Sequence, residues 1–177
     1  MPINSKKRPS TDLSAIIEGL IKADVKFILV GGLAAVVQGA PVTTMDVDIV
    51  PHRSPENISK LFSFLTSVDA IYRRPDSKIV TPKEKDLLEM GHALFTTRIG
   101  PIDVLAHIEQ EKTYEDLFKH TVEIVFRDRP LYVLGIKMLI DLKRASQDPK
   151  DKQRLPVLEE TLLQLEQASD IATKNRK

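Results

Sequence analysis

The stretch that decides the fold runs Phe27-Ile28-Leu29-Val30-Gly31-Gly32-Leu33-Ala34-Ala35 and closes at Met45-Asp46-Val47-Asp48-Ile49-Val50. Phe27 to Val30 is apolar at every residue and has the length of a strand. Gly31-Gly32 turns the chain. Leu33 to Gln38 is Ala-rich with no breaker and reads as helix, ended by Gly39-Ala40-Pro41. Met45 to Val50 is a second strand, with Val47 and Ile49 on one face and Asp46 and Asp48 on the other.

The two acids carry the chemistry. Alternate residues of a strand lie about 6.5–7 Å apart on the same face. Two carboxylates that close, beside a buried sheet, repel each other and raise each other's pKa unless a cation sits between them. Mg²⁺ suits such a pair, because it takes one or two carboxylates together with phosphate oxygens. A third carboxylate on a neighbouring strand would complete a two-metal clamp for phosphoryl displacement. Asp103, alone among Ile102, Val104 and Leu105, is the candidate. A glycine pair between strand and helix lets backbone N–H groups approach an anion. No Gly-Lys-Ser/Thr follows, so this is not a P-loop, and no third glycine completes a dinucleotide fingerprint.

Outward from this stretch, Ser10-Thr11-Asp12 caps a helix whose apolar positions are Leu13, Ile16, Ile17, Leu20 and Ile21. Pro55-Glu56 opens a helix with Ile58, Leu61, Phe62, Leu65 and Val68 on one side. Residues 69–91 read as loop with a short helix near Glu84 to Met90. Ala93 to Ile99 and Ile102 to Ala106 form a hairpin about Gly100-Pro101. Thr113 to Asp116 opens a short helix. Val122 to Phe126 and Leu131 to Leu134 are strands. Ile136 to Ala145 and Asp151 to Ala168 are amphipathic helices interrupted at Gln147-Asp148-Pro149. The expected organisation is a polar, disordered stretch at 1–10, a core at 11–134, C-terminal helices at 135–170 packed on the core, and a basic tail at 171–177.

Bulk composition sets outer bounds. The chain has 177 residues, 42% hydrophobic and 29% charged, as in ordinary globular domains. A net charge of +1 supplies no whole-protein field toward nucleic acid or membrane. Aromatic residues make up 5% with no Trp, which argues against a base-stacking single-strand binder. Cys is absent, so disulfides and thiolate metal sites are excluded. No apolar run approaches the ~20 residues of a membrane span, and no signal-peptide pattern follows Lys6-Lys7-Arg8. A cytoplasmic protein is expected. His52, His92, His107 and His120 lack metal-ligand spacing, although His52 and Arg53 follow the Asp-x-Asp strand and are candidates to approach the cleft. Arg73, Arg74 and Lys78 are solvated-loop residues or contacts for a nucleic-acid acceptor.

The segment Val30-Gly31-Gly32-Leu33-Ala34, then Gly39, then Thr44-Met45-Asp46-Val47-Asp48, resembles the signature of the nucleotidyltransferase superfamily related to DNA polymerase β, in its minimal bacterial form. Ile102-Asp103-Val104-Leu105 resembles that family's third-carboxylate strand. Leu139 to Ala145, with Pro149-Lys150-Asp151, is similar to the helical motif of toxin-side nucleotidyltransferases from abortive-infection and toxin–antitoxin systems.

The resemblance implies an α/β (α+β) fold: a nucleotidyltransferase-like mixed sheet flanked by helices, with a C-terminal helical segment. It implies transfer of a nucleoside monophosphate from NTP to an acceptor hydroxyl on a tRNA, a protein or a small molecule. Asp46, Asp48 and Asp103 would be the catalytic residues and the ligands of Mg²⁺ or Mn²⁺. Gly31, Gly32, Thr44 and Lys143 would bind the nucleotide. A cognate antitoxin or other partner protein is a further expectation. Three positions depart from the family pattern. Gly32 stands where Ser is common, Val42 where Arg is common, and Asp148 where a basic residue often precedes Pro149-Lys150-Asp151. These departures keep a second reading open, that of a weak or inactive nucleotidyltransferase-like regulatory subunit.

Overall fold

The computed structural model describes residues 11–76, 78–89 and 91–175. The expected disordered stretch at 1–10, Met90, and Arg176 and Lys177 of the basic tail lie outside the described residues. The first helix, α1, spans Leu13–Lys22. Asp12 caps it, its side chain accepting from the Ala15 N–H at 2.9 Å, and Ile16, Ile17 and Leu20 are buried. Strand β1, Phe27–Val30, is buried at all four residues. Helix α2, Gly31–Val37, begins on the first glycine rather than at Leu33. Strand β2 is Val47–Pro51 rather than Met45–Val50, so Asp48 lies on it while Asp46 stands in the bend just ahead of it; helix α3 is Pro55–Ser67, strand β3 Ile71–Tyr72 and helix α4 Glu84–Glu89.

Strands β4, His92–Thr97, and β5, Gly100–Leu105, form the expected hairpin, but its turn lies at Arg98-Ile99. The Thr97 hydroxyl sets it there, accepting from the N–H groups of Ile99 at 3.2 Å and Gly100 at 3.1 Å. Helix α5, Tyr114–Phe118, leads into strands β6, Thr121–Phe126, and β7, Arg129–Leu134. Helices α6, Ile136–Ala145, and α7, Pro149–Lys174, follow.

Among the described residues the strands make one seven-stranded mixed sheet in the order β3-β4-β5-β2-β1-β7-β6. β1 runs antiparallel to β2 and parallel to β7, and β2 runs parallel to β5. The central position of β1 explains its uninterrupted apolar sequence, since neither face meets water. β3 was expected as loop. Two residues carry too little pattern to signal a strand, and β4 supplies the pairing edge.

The last helix starts before Asp151. Asp148 is its cap, accepting from the Lys150 N–H at 2.8 Å, and Pro149 takes the first helical position. An acid is favourable there because it satisfies an orphan donor at the positive helix end. α7 also runs past Ala168 to Lys174, so residues 171–174 of the expected tail are helical. Leu158 and Thr161 bury its inner face.

Candidate active site

The strand pairings bring the acids together. Val30 lies opposite Asp48 across the β1–β2 ladder, and Asp48 lies opposite Asp103 across the β2–β5 ladder. One carboxylate oxygen from each of Asp46, Asp48 and Asp103 lies within 4.8 Å of the others. Among the described residues this is the only such group of three or more His, Asp or Glu side chains.

Gly31 is required beside it. Its φ is +69°, and a Cβ there would overlap Oδ2 of Asp48. At Gly32 a Cβ would stand 2.9 Å from the Thr44 hydroxyl. Thr44 in turn approaches Asp46, its hydroxyl 3.3 Å from the Asp46 carbonyl oxygen. The glycines thus leave backbone as the floor of the site and let the carboxylates close over it.

The electrostatics are those of three crowded carboxylates. Burial pushes Asp48 up to about 7, and the charges of Asp46 and Asp103 add to it, while Arg73 and Lys143 pull the other way. Burial also raises Asp103, against the opposing charge and hydrogen bond of Arg73. Three oxygen donors of one charge, held where they repel, are a fitting donor set for a hard divalent cation.

Opposite the acids, α6 and α7 supply cations. Together they enclose a cleft of about 490 Å³ lined by Gly31, Gly32, Thr44, Asp46, Asp48, Lys143 and Arg154. Lys143 donates to Asp151 at 2.6 Å, a pair with side chains 16% and 19% exposed. Burial acts to raise Asp151, but the hydrogen bonds of Lys143 and Ser146 and nearby positive charge outweigh it and hold the carboxyl low. Arg154 is exposed, with Nη1 3.8 Å from where a Gly32 Cβ would be.

Two of these features differ from sequence expectations. Val42, which stands where the family commonly has Arg, packs against the hydrophobic core and does not line the cleft. A cation not among the expected site residues, Arg154, lines it instead. The signal was present: Arg154 sits three residues after Asp151 and so shares its helix face. Arg73, taken as a solvated-loop or nucleic-acid contact, reaches across β4 to Asp103 at 2.5 Å. Arg74 does behave as a surface residue, paired with Asp76 at 2.8 Å.

His52 and Arg53 do not approach the cleft. They follow the far end of β2 from the acids, where His52 contacts Ser54 and Tyr114 and Arg53 bonds the carbonyls of Leu87 and Leu88.

No protein-family model and no curated protein sequence matches the chain. Solved structures do match. The lincosamide antibiotic adenylyltransferase LnuA, lincomycin-bound, aligns over 82% of this chain and 92% of its own at 12% identity and a TM-score of 0.54. ANT(2")-Ia in complex with adenylyl-2"-tobramycin aligns over 91% and 94% at 12% identity and a TM-score of 0.51. The fold of this chain is therefore the nucleotidyltransferase fold, as the Gly-Gly and Asp-x-Asp pattern led one to expect. No helix of the described residues is long and apolar enough to cross a membrane.

Proposed function

We propose that this chain, with its nucleotidyltransferase fold, transfers a nucleoside monophosphate from an NTP to an acceptor hydroxyl in a reaction that depends on a divalent metal. The observation that carries this reading is the convergence of Asp46, Asp48 and Asp103 on one point beside the Gly31-Gly32 turn. Asp46, Asp48 and Asp103 would hold Mg²⁺ or Mn²⁺, which when bound supplies charge neutralisation for the triphosphate.

The N–H groups of the Gly31-Gly32 turn, with Thr44, face the phosphates from below. Lys143 and Arg154 face them from the helical side and stabilise the negative charge of the departing pyrophosphate. The acceptor oxygen forms a bond to the α-phosphorus as the bond to the pyrophosphate oxygen breaks. Asp103 takes the acceptor's proton on a carboxylate oxygen. Positioning and electrostatics carry the catalysis, since the protein forms no covalent bond to substrate.

A cleft of about 490 Å³ accommodates a nucleotide and leaves the acceptor outside or at its mouth. The relatives in fold are described with lincomycin and with an adenylylated tobramycin, which supports a small hydroxyl compound as the first acceptor class to test. A tRNA end and a protein hydroxyl are the other classes, the latter two in keeping with a toxin–antitoxin setting. The regulatory-subunit reading rested on missing cations, and Arg154 supplies one of them.

The test is label transfer. The protein is incubated with Mg²⁺ or Mn²⁺ and each labelled NTP, in turn with total tRNA, cell lysate and a panel of hydroxyl-bearing small molecules. An Asp46→Ala/Asp48→Ala double variant runs in parallel. Transfer above the variant is expected with at least one pair. Equal label in both proteins across every combination would sink the enzyme reading and favour a binding role.

A further inference from the structure

Within the triad the three carboxylates are not equivalent. Arg73 Nη2 donates to Oδ1 of Asp103 at 2.5 Å and to the Phe95 carbonyl at 3.2 Å. Asp46 and Asp48 have no ion pair with a Lys or Arg among the described residues. Asp46 meets only the neutral Thr44 hydroxyl, at 3.4 Å from Oδ1.

The reach of Arg73 is set by the sheet. Its backbone N–H bonds the Leu94 carbonyl at 2.7 Å, just beyond β3, and Leu94 lies opposite Asp103 in the β4–β5 ladder. The guanidinium therefore spans one strand and arrives beside the third acid from the edge of the sheet. The Arg73 side chain is 38% exposed and the Asp103 side chain 13%. The pair is thus a shielded carboxylate approached by a cation from the solvent side.

Resting on the reading of the triad as a divalent-cation site, we propose that Arg73 is a positioning residue: it is the resident counter-ion of Asp103, holding one oxygen of that carboxylate and leaving Asp46 and Asp48 as the dominant cation-binding pair. Two consequences follow from charge and geometry. First, a divalent ion entering the site meets two carboxylates without an ion-pair partner among the described residues and one held by Arg73, so Asp103 contributes little to cation affinity in the absence of nucleotide. Second, the two hydrogen bonds that Arg73 Nη2 donates, to Phe95 O and to Asp103 Oδ1, anchor the guanidinium on the sheet and hold the carboxylate against it. Loss of Arg73 leaves Asp103 free to join the cation site but no longer aimed at the acceptor. A lysine at position 73 keeps the charge but is shorter and lacks the guanidinium that spans β4 to Asp103.

The experiment is Mn²⁺ titration without nucleotide, followed by electron paramagnetic resonance of the free ion, on the full chain. The variants are Arg73→Met, Arg73→Lys, Asp103→Asn, Asp46→Asn and the double variant Arg73→Met/Asp103→Asn. Arg73→Met is expected to bind Mn²⁺ roughly tenfold more tightly than the parent, since a competing positive charge is gone. Arg73→Lys should stay within about twofold of the parent. Asp103→Asn alone should weaken binding only about twofold, whereas Asp46→Asn should abolish it. The gain from Arg73→Met should shrink to about twofold in the double variant, the remainder being the weaker field of Arg73 at Asp48, which ties the larger part to Asp103.

Where transfer is measurable, Arg73→Met should lower kcat with KM for the NTP little changed, and Arg73→Lys should recover part of kcat. If Arg73→Met does not fold, the contrast between Asp103→Asn and Asp46→Asn decides by itself. Equal loss of Mn²⁺ binding in those two overturns the proposal, as does an Arg73→Met affinity that is unchanged or weaker. Absence of Mn²⁺ binding by the parent as well overturns both this proposal and the triad reading beneath it.

Discussion

The two walls of the cleft are built by different means. The acidic wall is part of the sheet. Asp48 and Asp103 are neighbours by backbone register, and Gly31 is pressed against Asp48 closely enough to exclude any side chain. The basic wall is made of long side chains on two helices. Lys143 is held by Asp151, while Arg154 stands exposed at the rim. The acids are thus pre-organised at the expense of mutual repulsion, and Lys143 is fixed by its pair, whereas Arg154 keeps rotamer freedom to adapt to a ligand. Fixed anions suit an ion of set size, and an adjustable cation suits a flexible triphosphate.

The contrast is broken most severely from the acidic side. Asp48→Asn should reduce NMP transfer by about a thousandfold or more. Above about pH 7, the same change should raise the melting temperature of the metal-free protein, because a half-buried repelling carboxylate is gone. A variant that loses activity and also loses stability would mean that Asp48 is a structural group. Gly31→Ala comes next. It forces a side chain into a left-handed position against Asp48, and should destabilise by about 1–3 kcal/mol and lower transfer by about a hundredfold. Chemical denaturation and label transfer measure the two effects.

On the basic side the effects should be smaller and of a different kind. Arg154→Ala should raise KM for the NTP and lower kcat, each by roughly tenfold, with the melting temperature unmoved. Unchanged kinetics would contradict a phosphate contact.

The pH response sharpens the same comparison. Asp48 has an ordinary pKa of 3.8 and is raised to about 7 in the fold. Between these values the folded chain keeps a proton that the unfolded chain has lost. Metal-free stability should therefore fall as pH rises through that window and level off above about pH 7. Saturating Mg²⁺ should flatten or reverse the trend, because the ion replaces the proton. Thermal melts at a series of pH values, with and without Mg²⁺, would show it. Smallest of all, Arg144→Ala removes an ion pair with Glu159 whose side chains are 57% and 45% exposed. It should change stability by no more than about 0.5 kcal/mol and leave transfer unchanged.

Much of the acidic wall is legible in the chain because its signals are local. An all-apolar run marks β1, a glycine pair marks the turn, and the Asp-x-Asp spacing marks Asp46 and Asp48, although Asp46 reaches the site from the bend before β2 and not from the strand. Asp103 stands out as one acid in an apolar strand. The basic wall is harder to read. Lys143 was recognisable only through its resemblance to a family motif, and Arg154 looked like any charge on an exposed helix. Arg73 was unreadable for a plainer reason: β3 is two residues long, and nothing in its pattern announces which strand it borders.

The sequence by itself determined the local geometry at the centre of this protein: strand, Gly31-Gly32 turn, helix, and an Asp-x-Asp pair at the entry to the second strand. These follow from side-chain alternation and from the dihedral freedom of glycine, which act over a few residues. Only the tertiary structure decided that Asp103 would stand beside Asp48, that Arg73 would neutralise it, and that Arg154 would face the glycines. Those arrangements depend on strand order, register and the packing of α7, which are set by burial of the whole core rather than by any short stretch of chain.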